Sequence, residues 1–178
     1  MSEKEYIRKR FGKWSSPNVP HKGWVCVDIE DLEEPSFECE MCESQTIRYV
    51  HYMKHKDYKD VLKVGCVCAE KMEGHYSRAR VRDDFMKKRS TKRVRWIDNS
   101  RWKTSKKGND FIITDGYVIV MKKQNGYWSA LIESEDKNFK IWSQRKYKSI
   151  DEAKLAAFDY LTKILAEKEI KREDESDS

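Results

Sequence analysis

Four of the five cysteines fall into two tight pairs, Cys39-x-x-Cys42 and Cys66-x-Cys68, and the stretch between them holds His51 and His55. No other feature restricts the fold so strongly. A Cys-x-x-Cys on a tight turn presents two thiolates along one edge of a tetrahedron, and a second pair must close the site from elsewhere in the chain. Cys66 and Cys68 are alternate residues. In an extended chain they point to one side and can both reach one ion. A turn at Gly65 would make Cys68 the start of a helix, whose N-terminal dipole favours a thiolate. The expected ligands are Cys39, Cys42, Cys66 and Cys68 around one zinc ion. A second set, Cys39, Cys42 and Cys68 with His55 or His51, stays open on spacing. Four protein ligands leave no open position, so the zinc is expected to be structural, holding together a segment too small for its own core. Cys26, within "WVCVDI", reads as a buried small hydrophobe.

Metal is preferred over disulfide because the chain reads as intracellular and cytoplasmic. "MSEKEYIRKRFGKW" has no apolar signal core, and no run approaches the ~20 apolar residues that span a bilayer.

The order from residue 37 to residue 74 is a knuckle at "CEMC", a hairpin from "TIRYVHYM" and "DVLKVG", then "CAEKME" as a short helix ended by Gly74. This order resembles the treble-clef zinc fold, which implies a structural ion held by the knuckle and the helix start. The second pair departs from that pattern, being Cys-x-Cys in place of Cys-x-x-Cys. The module also resembles short bacterial and phage proteins with "CVC" after a Cys-x-x-Cys, a resemblance that implies no activity. "RYVHYMKH" is similar to the histidine strand of HNH-type nucleases, which would make His51 the residue that activates water. The helix that follows, "CAEKMEGHY", offers no asparagine and no well-spaced histidine for the cation. No Gly-rich phosphate loop, Gly-x-Ser-x-Gly elbow or His-Glu-x-x-His stretch is present.

Charge is unevenly placed. Residues 78–107 hold thirteen Lys and Arg against three Asp, a net of +10 in a chain whose total is +6. A helix is expected over residues 75–97, within a basic segment of residues 75–100. Arg78, Arg82, Arg89, Lys92 and Arg93 fall within about a 100° arc on it, opposite Tyr76, Ala79 and Met86. Trp96 shares the basic side. Such a face attracts polyanions by counterion release, and an exposed ring can stack on unpaired bases. Nucleic acid, DNA or RNA, is therefore the expected partner. The alternative is an adaptor or inhibitor whose basic helix meets an acidic protein.

From Phe111 the hydrophobic period changes to two. "FIIT", "YVIVMKK", "YWSALIE" and "FKIWSQRKY" read as four antiparallel strands, with two-residue turns at Asp115-Gly116 and Asn125-Gly126. Ser149-Ile-Asp-Glu152 is a capping box, and the helix it opens turns Ala153, Ala156, Ala157, Tyr160, Leu161 and Ile164 toward the sheet. In outline this region resembles a double-stranded RNA-binding domain. Where that family places phosphate-docking lysines at the start of its last helix, this chain has Ile150, Asp151 and Glu152.

The expected fold is therefore α+β. An extended arm with a short strand (1–36) leads to the zinc module (37–74) and the basic helix (75–100). A four-stranded sheet covered by one helix (101–166) and an acidic, solvated tail (167–178) follow.

Overall fold

β-Branched and aromatic residues gather in two stretches of the chain, and each stretch folds into a sheet. A computed structural model describes residue 2 and residues 11–175. They form two units, residues 1–90 with 166–178, and residues 91–165. Residues 1 and 3–10 of the expected arm, and 176–178 of the expected tail, lie outside the described residues.

In the first unit a 3-10 turn, Gly12–Ser15, precedes β1 (Val25–Asp31), β2 (Phe37–Glu38), β3 (Thr46–Ile47), β4 (Tyr49–His55) and β5 (Tyr58–Val64). β1, β4 and β5 make one antiparallel sheet in the order β1-β4-β5, and β2 pairs with β3 across the Cys39–Cys42 knuckle. The strand expected over residues 46–53 is thus two strands, interrupted at Arg48. α1 (Cys66–Glu73) follows β5 directly and ends at Gly74, as the sequence suggested. α2 runs Arg78–Val94. The core is formed by Trp24, Met41, Val50, Met53, Leu62, Val64, Ala69 and Met72.

The second unit contains β6 (Lys103–Thr104), β7 (Asp110–Thr114), β8 (Tyr117–Gln124), β9 (Tyr127–Ser134) and β10 (Lys140–Trp142). They form a five-stranded antiparallel meander, β10-β9-β8-β7-β6, rather than the expected four strands. The fifth is a two-residue strand, where Lys103 and Thr104 pair with Phe111 and Asp110. It is too short to show a period in sequence. Both predicted turns form. Asp115-Gly116 and Asn125-Gly126 have positive φ at each residue, the conformation that matches the twist of the flanking strands.

α3 begins at Ile150 and extends to Glu175. Ser149 Oγ accepts the Glu152 amide at 3.2 Å, and the Glu152 carboxylate accepts the Lys148 amide, one residue earlier than the cap itself. Ala153, Ala157, Phe158 and Leu161 pack on one face of the sheet with Ile112, Ile119, Met121 and Ile132. Tyr160, expected to face inward, is exposed, and Phe158 takes that role.

The expected acidic tail is corrected as far as residue 175, because helix continues through it. Ile170 is buried in the first core, and Glu173 binds Arg82 of the same unit. The acidic charge here neutralises a buried cation. No helix among the described residues is long and apolar enough to cross a membrane.

Candidate metal centre and nucleic-acid interface

The β2–β3 turn places Cys39 and Cys42, and the first turn of α1 brings Cys68 to them. One sulfur from each lies within 4.8 Å of the others, so this Cys₃ group could hold a metal ion. Cys39 and Cys68 are buried. The Cys68 thiol donates toward Cys39, and the backbone N–H groups of Cys42, Gly65 and Met41 also face that sulfur. Together they bring the Cys39 thiol down below the usual cysteine range despite its burial. The same pairing, with burial, holds the Cys68 proton on and pushes that thiol up. A knuckle lined with N–H donors stabilises thiolate charge before any cation arrives.

The N-terminal segment braces the knuckle. Lys13 N–H donates to the Met41 carbonyl at 2.8 Å, and its ammonium reaches the Glu40 carbonyl and the Glu43 carboxylate. Gly12 lies so close that an added Cβ would stand 2.6 Å from the Cys42 carbonyl carbon and oxygen.

Cys66 is not part of this group. The expectation that Cys66 and Cys68 point to one side required an extended chain, but helix begins at Cys66 itself. Two residues along a helix are about 200° apart around the axis, so the two thiols diverge. Cys66 instead lies with His51 and Asp83 in a second cluster whose ligand atoms are within 4.8 Å of one another.

That second cluster, like the Cys₃ group, could hold a metal ion. Arg82 Nε donates to His51 Nδ1 at 3.4 Å, and His51 Nε2, buried without a hydrogen-bond partner, lies 3.6 Å from Asp83 Oδ1. Burial lowers the His51 pKa, with Asp83 opposing the shift. Burial, with Asp83 and Glu70 nearby, pushes the Cys66 thiol up to about 11. His51 is 0% exposed.

His55, the other alternative ligand, is used elsewhere. Its Nδ1 accepts the Asp57 amide at 3.0 Å, and its ring packs 5.3 Å from that of Trp24. Cys26 is buried as expected, and burial raises its thiol to about 12.

The expected basic face of α2 is corrected. Ala79, Arg82, Met86 and Arg89 advance by three, four and three residues, which is one helical stripe, and all four are buried. Arg82 is 1% exposed; its guanidinium holds Glu73 at 2.6 Å and also binds Glu173. The remaining members make internal contacts. Arg78 donates to the Glu173 carbonyl, Lys92 pairs with Asp115 at 3.3 Å, and Arg93 grips both carboxylate oxygens of Asp159. Trp96 cannot stack on a base, being 2% exposed. Its indole donates to the Lys154 carbonyl, and its ring packs against Trp102 and Phe158.

Sequence reasoning missed a different basic surface. α3 covers one face of the five-stranded sheet, and the alternation of the strands directs Phe111, Val120, Lys122, Leu131, Lys140 and Trp142 to the other. The sequence signal was faint: Lys122 follows the apolar run of β8, and a single lysine, Lys140, opens β10.

No protein-family model, curated protein or solved structure matches the chain.

Proposed function

We propose that this is a zinc-stabilised, non-enzymatic nucleic-acid-binding protein, with the ion in a treble-clef-like module and the binding carried by residues 91–165. One observation carries the second half of this reading. Residues 91–165 contain sixteen Lys and Arg against nine Asp and Glu, so the excess charge of the whole chain belongs to this unit. Lys103, Lys106, Lys107, Lys122, Lys123 and Lys140 are all exposed. A surface of this kind gains affinity for a polyanion by releasing its counterions.

Zinc is the ion of choice for the Cys₃ group because thiolates are soft donors and the three sulfurs lie within 4.8 Å of one another. Cys39, Cys42 and Cys68 would hold it, and it would tie the β2–β3 knuckle to the start of α1. The fourth position falls to a donor outside the Cys₃ group. The N–H groups around Cys39 support a thiolate there.

A salt series tests the nucleic-acid reading. Binding of a labelled oligonucleotide should weaken linearly on log axes, with a slope of ~0.7–0.9 for each phosphate neutralised. A flat response, or no binding at low salt, would contradict it. Capture of an acidic protein partner in its place would favour the adaptor reading.

A further inference from the structure

We propose that the open face of the five-stranded sheet is a platform for single-stranded nucleic acid, with bases stacked on Trp142 and Phe111 and phosphates met by Lys103, Lys122 and Lys140. The proposal rests on the nucleic-acid reading above and adds both the site and the form of the ligand.

The strand register carries the argument. Trp142 pairs with Leu131, Leu131 with Val120, Val120 with Phe111 and Phe111 with Lys103, so these five residues form one row across all five strands. Adjacent strands are ~4.8 Å apart, which sets the two rings about 14 Å from each other. Leu131 and Val120 form an apolar floor between them. The face is open at Trp142, 43% exposed, and at Ile113, 50%; Phe111 and Val120 are half-buried and Leu131 is buried beneath them. An apolar surface left open beside lysines is a feature that monomeric proteins rarely keep without a use.

Charge selects the occupant. Lys122 Nζ sits over the Trp142 ring, 5.0 Å from its centroid; Lys103 ends the row at one edge of the sheet, and Lys140 stands beside it on the opposite edge strand. A carboxylate on this face, Glu133, lies 3.8 Å from Lys140. Rings that take stacked bases, bordered by cations that follow a backbone, are what single strands require. A duplex keeps its base faces covered and gains only from the lysines.

The test uses the full-length chain with labelled oligo(dT) and with a hairpin duplex of equal charge. Trp142→Ala and Phe111→Ala should each weaken oligo(dT) binding by about 5- to 150-fold, the range expected for one stacked base, and leave the duplex within about twofold. Because an alanine at either ring could disturb the sheet, Lys122→Glu supplies a second arm at an exposed position. It should weaken oligo(dT) binding and make its loss with salt shallower than that of the wild type. Unchanged oligo(dT) binding in all three variants, with the wild type still bound, would overturn the platform and spare the broader reading. Failure of the wild type to bind either probe would overturn both.

Discussion

At the scale of single residues, the metal centre turns on where one helix starts. The spacing of Cys39, Cys42 and Cys68 was legible because a knuckle and a helix start are local features. The place of Cys66 was not, since a helix that begins at residue 66 rather than 68 rotates its thiol to the opposite side. His51 and His55 were ambiguous for a similar reason: a histidine in a strand gives no sign of which nitrogen its neighbours will occupy. Metal content measured on purified variants separates these roles. Cys39→Ser and Cys68→Ser should each lose the ion and the fold of residues 37–74. Cys66→Ser and His55→Ala should retain it in full. Loss of metal from Cys66→Ser would restore the four-cysteine set.

Among the elements, hairpins and the capped helix were read correctly, since turn and capping residues announce themselves over four positions or fewer. α2 was read inside out. Its inward stripe carries Arg82 and Arg89 between Ala79 and Met86, and a pattern search that assigns charge to solvent turns such a stripe outward. Arg82 is held by Glu73 and Glu173, and its removal would leave two buried carboxylates uncompensated. Arg82→Leu should therefore cost about 3–5 kcal/mol in urea unfolding. The pH dependence gives a second signature. Burial raises both Glu73 and Glu173 above their usual value, and Arg82 opposes the shift. A carboxyl raised in the folded state binds more protons folded than unfolded. Its contribution is fully present below the unfolded value and is lost as pH rises through the folded one. In Arg82→Leu both groups rise further, so the variant should recover more stability on acidification from neutral pH than the wild type does. A uniform loss at every pH would contradict the ionic account.

For the whole molecule, the change of hydrophobic period near Phe111 marked the second sheet, and the charge distribution marked the segment that adjoins it. The unit boundary and the fate of the C-terminus were not legible. Glu173 meets Arg82 across 91 positions of sequence, and a pairing that distant leaves no local pattern. On the proposed reading, the division into two units puts the metal and the nucleic acid on different parts of the chain. Residues 91–165 enclose their own core of Trp96, Ile119, Met121, Phe158 and Leu161, none of them a thiolate or a neighbour of one in sequence. The measurement that tests this most directly is the salt-dependent affinity of the full-length protein for oligo(dT), before and after a chelator has removed its metal. Binding should persist with the same salt slope while amide exchange accelerates across residues 37–74 and stays slow in β7, β8 and β9. Loss of binding together with the metal, or exchange that accelerates equally in both sheets, would contradict a structural ion and a separate binding unit.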